Sequence, residues 1–235
     1  MKPAMKMAKN VLDFGLYTVE RDAMLEFWRS VVGLPYEEML PAGKGVQQHR
    51  HGLNGSVFKL NHSRDPLPDL PPSGYRELLI AREGIDGERA LVDPDGNRVR
   101  LVPPGFCGIS GIGIRLAVHS ARAHRDFYRD ALGLDPVDED SYRWGETVLS
   151  FAEDPEVGAD AATQRNPVMR APGFRYLTVQ VWDVDAEYAA AIDRGALPGF
   201  APVTLGKVAR IAFIRDPDGN WIEISQRASL TGALP

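Results

Sequence analysis

One hairpin, present twice, constrains this chain more than any other feature. Residues Ile211 to Ile214 are mostly apolar and lead into Asp216-Pro217-Asp218-Gly219-Asn220. The return segment then alternates, with Trp221, Glu223 and Ser225 on one face and Ile222 and Ile224 on the other. Proline presets φ at the second turn position, and Gly or Asn accepts the positive φ that follows, so the segment reads as a β-hairpin. The same turn stands 123 residues earlier at Asp93-Pro94-Asp95-Gly96-Asn97. Upstream, Phe27-Trp28-Arg29 and Gly33-Leu34 recur 100 residues on as Phe127-Tyr128-Arg129 and Gly133-Leu134. Gly74-Tyr75-Arg76-Glu77-Leu78 recurs 99 residues on as Gly173-Phe174-Arg175-Tyr176-Leu177. Self-similarity at this scale means a duplicated domain, not a short-period solenoid. Because the offset grows from 99 to 123 between Glu77 and Asp93, the first copy lacks 24 residues that the second keeps.

The local patterns fill in each copy. Val11 to Val19 predicts a strand. Arg21 to Val32 predicts a helix with Met24, Phe27, Trp28 and Val31 on one stripe, stopped by Gly33. Strands follow at 36–39, 46–51 and 56–61, then a connector at 63–73 broken by four prolines. Residues 75–81 predict a strand, but only 82–88 separate it from the first hairpin, too few for a helix and another strand. The second half repeats the plan: strand 112–118, helix 121–132, strand within 143–151, strand 174–182, helix 184–192, and strands 202–205, 208–214 and 221–225. Pro103-Pro104-Gly105-Phe106 predicts a boundary between an N-terminal domain, 1–103, with a truncated second module, and a complete C-terminal domain, 104–235.

Composition narrows the class. The 235 residues, 44% hydrophobic and 25% charged, are those of a soluble globular protein, long enough for two ordinary domains. A formal net charge of −5 gives no sign of nucleic-acid binding. The single cysteine, Cys107, excludes a disulfide framework and a cysteine metal cluster. Met1 to Asn10 has lysines but no apolar stretch, and no run approaches the length of a membrane span, so a cytoplasmic location is expected.

Taken in order, a strand, a helix ending in Gly-Leu, three strands and a closing Asp-Pro-Asp-Gly-Asn hairpin resemble the vicinal oxygen chelate superfamily. That group includes glyoxalases, extradiol dioxygenases, fosfomycin-resistance enzymes and bleomycin-resistance binding proteins. The resemblance spans nearly the whole chain and is weakest at 81–88. It implies an α+β fold in which duplicated βαβββ modules form half-barrel clefts, here with the second module truncated. In that superfamily, metal ligands come from the first and last strands of each module, usually His, Glu, His and Glu.

Carried across, those positions hold poor metal ligands. In the C-terminal domain they fall on Gly111 or Gly113, near Ser150, on Tyr176 and on Glu223; in the N-terminal domain they read Asp13, Lys59, Glu77 and Arg100. Lysine and arginine offer no lone pair at neutral pH, and a divalent ion wants three or four donors. The resemblance therefore implies no metal and no cofactor. Asp13, Lys59, Glu77 and Arg100 read either as a charge network plugging a vestigial site or as a working set. In the working set Glu77 or Asp13 is the base, and Lys59 and Arg100 hold an oxyanion or carboxylate. Tyr176 reads as an aromatic pocket floor, or as a group that hydrogen-bonds a substrate carbonyl or gives up a proton if its pKa is lowered. Thr178 and Gln180 share its strand face, and Arg115 is expected on a facing strand. His49 and His51 share one strand face and are read as solvated residues, a general acid or base, or metal ligands with a carboxylate. His119 and His124 read as structural, with His124 on a surface face.

The catalytic candidates are thus Tyr176, Glu223, Glu77, His51 and Asp13. The substrate-binding candidates are Arg115, Gln180, Thr178, Lys59, Arg100 and His49. The expected activity is metal-independent acid–base chemistry, of isomerase or lyase type, on a small carbonyl- or carboxylate-bearing substrate. A non-catalytic binding protein of the bleomycin-resistance type is one alternative, and a metal-dependent lyase or dioxygenase with rearranged ligands is another. The expected partners are a small-molecule substrate and a second copy of the chain in a homodimer, with neither nucleic acid nor membrane. The complete C-terminal domain is the expected site of the working cleft, with pairing of modules across domains left open.

Overall fold

The structure is a computed structural model that describes residues 4–157 and 168–234. Four modules follow one another. The first holds β1 (Asp13–Thr18), α1 (Arg21–Glu26), β2 (Tyr36–Pro41), β3 (Val46–Leu53) and β4 (Ser56–Ser63). The second holds only β5 (Tyr75–Ala81), β6 (Arg89–Val92) and β7 (Arg98–Val102). The third holds β8 (Ile112–Val118), α2 (Ala121–Asp126), β9 (Asp135–Asp138), β10 (Ser141–Trp144) and β11 (Thr147–Glu153). The fourth holds β12 (Gly173–Gln180), α3 (Val184–Asp193), β13 (Leu197–Leu205), β14 (Ala209–Arg215) and β15 (Trp221–Arg227), and the short helix α4 (Ala228–Thr231) follows. The second module has no counterpart of α3 and β13, which accounts for the 24-residue deficit.

Both α1 and α2 end in the same widened turn. Val32 N–H donates to Phe27 O and Leu132 N–H to Phe127 O, five residues back, and Gly33 and Gly133 then turn the chain with φ of 79° and 71°. The widening belongs to the repeat. It follows the Phe-Trp and Phe-Tyr pairs whose second members, Trp28 and Tyr128, are fully buried.

The sheets do not respect the halves. An eight-stranded sheet has the order β13-β14-β15-β12-β1-β4-β3-β2, and a seven-stranded sheet has the order β6-β7-β5-β8-β11-β10-β9. The first module therefore pairs with the fourth through β1 and β12, antiparallel, and the second with the third through β5 and β8. This settles the open question of module pairing and corrects the expectation of a cleft built within residues 104–235, whose two modules lie in different sheets. It also explains how the truncated module folds, because β8 gives β5 a partner strand.

The large core gathers one face of each sheet with the helices: Phe14, Leu16, Phe58 and Leu60 meet Met24 and Trp28, and Ile114, Leu116 and Phe151 meet Phe127 and Tyr128. The second of the twin turns locks the modules together. Asp216 Oδ1 accepts from the N–H groups of Asp218 and Asn220 at 3.0 and 2.8 Å, and Asn220 Oδ1 accepts from Gly74 N–H of the second module at 2.7 Å. Asp218 Oδ2 accepts from His119 N–H at 2.7 Å. His124 is buried, not on the surface, with Nε2 3.4 Å from Asp216 Oδ2. Burial opposes its charge, but Asp216 and Asp218 outweigh it and raise its pKa.

Candidate functional site

The face of the eight-stranded sheet opposite the helices forms the candidate site. Period-two alternation puts Gln48 and Arg50 of β3, Lys59 and Asn61 of β4, Asp13, Gly15 and Tyr17 of β1, Tyr176, Thr178 and Gln180 of β12, and Trp221 and Glu223 of β15 on this face. At one end lies a cleft of about 630 Å³ lined by Tyr17, Val46, Phe200 and Trp221, with Lys44 and Arg170 at its margin. Phe200 stacks on Trp221 with ring centroids 5.8 Å apart, and Phe213 meets Trp221 edge-on. Tyr176 is the floor between this aromatic end and the polar centre, packed with Tyr17, Phe213 and Trp221.

The centre is built on Lys59. Its Nζ donates to Thr178 Oγ1 at 2.6 Å and to Glu223 Oε2 at 2.8 Å, and the Thr178 hydroxyl also donates to Glu223 Oε2 at 2.6 Å. The side chains of Lys59 and Glu223 are 4% and 12% exposed. Next to them Asp13, fully buried, accepts from Lys9 Nζ at 2.7 Å, from Val57 N–H at 2.9 Å and from Gln180 Nε2 at 3.2 Å. Burial would raise the Asp13 pKa, but the charges of Lys59 and Lys9 and these hydrogen bonds hold it below 3.8.

Tyr176 is fixed by two amides: Asn61 Nδ2 donates to its hydroxyl at 3.0 Å and Gln48 Nε2 at 3.4 Å. Its pKa is raised well above 10 by burial and then by Tyr17 and Glu223, the reverse of the lowering that proton donation would need. Its ring fits only because β1 carries glycine beneath it: a Cβ on Gly15 would overlap Cε1 and Cζ of Tyr176. Gly15→Ala is expected to displace the ring and cost about 1–3 kcal/mol through overpacking, measured by urea unfolding. A variant as stable as the parent would show that the ring has room to move.

The remaining candidates lie elsewhere. Glu77, Arg100 and Arg115 do not join this cleft but meet on the seven-stranded sheet. Glu77, 2% exposed, accepts from Arg100 Nε at 3.0 Å and Arg115 Nη1 at 2.7 Å, with Arg98 at 3.9 Å. The expected cluster of Asp13, Lys59, Glu77 and Arg100 is thus split between two sheets, and Arg115 faces Glu77 instead of Tyr176. That second face carries a small apolar cluster of Leu79, Ala81, Val102, Ile109 and Val148 beside the ion pairs. His49 and His51 share a face, as expected, but it is the helix-covered one. His51 is fully buried, with its ring near Tyr36 and Phe58 and both nitrogens without hydrogen-bond partners, so it does not reach the cleft.

Sequence reasoning missed Arg50, Asn61, Gln48 and Lys9. The signal for three of them was alternation: Arg50 and Gln48 share the face opposite His49 and His51, and Asn61 shares the face of Lys59. For Lys9 the signal was its place four residues before Asp13.

The donor set decides what the centre can hold. Asp13, Lys59, Thr178 and Glu223 amount to two carboxylates, a hydroxyl and an ammonium, and the ammonium lies between strands that would each supply a ligand. Among the described residues no three His, Cys, Asp or Glu side chains are arranged to hold a metal. These residues do not fit a divalent ion.

Residues 112–224 match the model of the Glyoxalase/Bleomycin resistance protein/Dioxygenase superfamily. No curated protein sequence matches the chain. Among solved structures, a point mutant of glyoxalase I from Zea mays superposes with a TM-score of 0.70 at 15% identity, over 95% of this chain and 94% of that one. Glyoxalase I from Zea mays itself gives 0.66 at 14% identity, over 95% and 92%. A candidate dioxygenase from Bacillus subtilis subsp. subtilis str. 168 gives 0.62 at 13% identity, over 97% and 86%. At these identities the likeness is one of fold. The chain has the vicinal oxygen chelate fold, and its residues 112–224, just under half of its length, resemble the glyoxalase, bleomycin resistance protein and dioxygenase superfamily.

Proposed function

We propose that the cleft of the eight-stranded sheet is the site of a metal-independent enzyme, an isomerase or lyase that moves a proton on a small carbonyl- or carboxylate-bearing substrate. The observation that carries this reading is the Lys59 ammonium, buried 2.8 Å from Glu223 Oε2 on the same sheet face as the aromatic-lined opening. A fixed cation there stabilises an enolate or other oxyanion as charge develops, the task a metal performs as a Lewis acid. Glu223 spends Oε2 on Lys59 and Thr178, while Oε1 has no hydrogen-bond partner among the described residues and is the oxygen that takes the proton. Tyr176 holds the substrate against the aromatic end. Thr178 and Gln180 orient the carboxylates of Glu223 and Asp13.

The test is exchange of the C–H next to the carbonyl into D2O, followed by NMR on a panel of small ketones and keto acids. Exchange above the buffer rate is expected to survive EDTA, to fall at least about tenfold in Glu223→Gln, equivalent to about 1.4 kcal/mol, and to persist in Glu77→Gln. Loss on chelation with recovery on adding metal would overturn the reading, as would loss in Glu77→Gln alone. The aromatic opening of Tyr17, Phe200 and Trp221 favours a second reading, non-catalytic binding of a small molecule. Tight binding of panel members with no exchange of any of them would select it.

A further inference from the structure

Past the Lys59–Glu223 pair, away from the aromatic opening, the same face leads into a polar pocket of about 220 Å³. Lys9, Asp13, Glu38, Arg50, Gln180 and Arg227 line it, three cations against two carboxylates. The carboxylates are poorly placed to satisfy the cations. Asp13 is already bonded to Lys9, Val57 N–H and Gln180. Glu38, with its side chain 52% exposed, comes only to 3.4 Å from Arg50 Nε. That separation is an ion pair, yet Arg50 Nε is buried and has no hydrogen bond of acceptable geometry. Arg50 itself is 8% exposed and gives Nη1 to Gln48 Oε1 at 3.2 Å. Arg227, the last residue of β15, makes no side-chain hydrogen bond or ion pair among the described residues, although it is half-buried. Burial and then the neighbouring charge of Arg50 lower its pKa. Gln180 Oε1 is also buried without a partner.

Glu223, Asp13 and Glu38 offset part of the repulsion at Arg227, but burial and Arg50 outweigh them and none of the three bonds to it, so two neighbouring guanidinium groups are left for an anion to join. Guanidinium geometry matches a carboxylate. We infer that Arg50 and Arg227 form the carboxylate-binding end of the cleft, so that the natural ligand is a small carboxylic acid anion. Its carbon chain crosses the Lys59–Glu223 centre, and its less polar end points to Trp221. The excess of one cation in the pocket suits a monoanion better than a phosphate dianion. The unpartnered Gln180 Oε1 is an acceptor for a hydroxyl on the carbon beside the carboxylate. This inference rests on the reading of the same cleft as the ligand site.

The test is calorimetric titration of the full chain with 6-phenylhexanoate, long enough to reach from Arg227 toward Trp221, its neutral amide 6-phenylhexanamide, and inorganic phosphate. The carboxylate is expected to bind at least about tenfold more tightly than the amide. Arg227→Gln, a change at a partly exposed position, is expected to abolish that preference while leaving amide binding unchanged. Trp221→Leu is expected to weaken both organic probes. If both depend on Trp221 but the carboxylate preference survives Arg227→Gln, the carboxylate end is wrong and the cleft reading stands. If neither depends on Trp221, the cleft reading itself fails. Phosphate binding as tight as the carboxylate, or no carboxylate binding at millimolar concentration, overturns the inference.

Discussion

Lys59→Met is expected to destabilise the protein by about 3–5 kcal/mol, because it removes one member of a buried ion pair and leaves the other charged. The side chain of Glu223 is 12% exposed and that of Asp13 is 2% exposed, so water replaces the lost ammonium only in part at Glu223 and not at Asp13. Methionine has nearly the length of lysine and fills the same space over the Tyr176 ring, where Nζ lies 5.3 Å from the centroid. The loss is therefore electrostatic and leaves no cavity. Removing both partners tests this directly: Lys59→Met with Glu223→Leu should recover most of the single-variant loss, because an apolar pair of similar volume has no charge to desolvate. Urea unfolding of the parent, both single variants and the double variant closes the cycle. A Lys59→Met cost below about 1 kcal/mol, the range of exposed pairs, would mean that the ammonium is solvated.

Acid is expected to unfold the protein early, and His51 is the group responsible. Burial, followed by the charges of His49 and Arg29, lowers its pKa from 6.5 to about 4. The unfolded chain binds a proton in that window that the folded chain refuses, so stability is complete above pH 6.5 and falls as the pH drops toward 4. The slope is at most about 1.4 kcal/mol per pH unit, about 3 kcal/mol across the window. His49 and His62, both also lowered, act in the same direction. Asp93, raised to about 6 by burial, acts in the opposite one. The comparison is therefore with His51→Phe, which keeps a ring against Tyr36 and Phe58 and removes two unpartnered nitrogens. The variant's stability should fall less steeply from pH 6.5 to 4.5. Parallel profiles for parent and variant would clear His51.

Much of this was legible in residue patterns, and the part that was not has a physical reason. Strand 112–118 was read at its observed bounds, and the helices at 21 and 121 were read with their glycine stops, because local periodicity and turn chemistry decide them. The missing helix and strand of the second module followed from the jump in repeat offset. Pairing of the first module with the fourth did not, since a parallel or antiparallel partner for β1 is a long-range choice that no local pattern records. That choice separated Asp13 and Lys59 from Glu77 and Arg100. Register mattered as much: Thr178 lies opposite Asp13 on β1 and Glu223 on β15, so it is Thr178, one step along from Tyr176, that meets Lys59. Tyr176 itself could be read as a pocket floor, but its fixed ring depends on Gly15, whose role appears only when β1 and β12 are side by side.

The proposed centre works with the Lys59 ammonium and no metal, and metal content tests that most directly. The parent chain would be incubated with zinc, manganese(II) and iron(II), desalted and analysed by mass spectrometry of the elements. With Lys59 between Thr178 and Glu223, retention far below one ion per chain is predicted. About one ion per chain, lost again in Glu223→Gln, would contradict it.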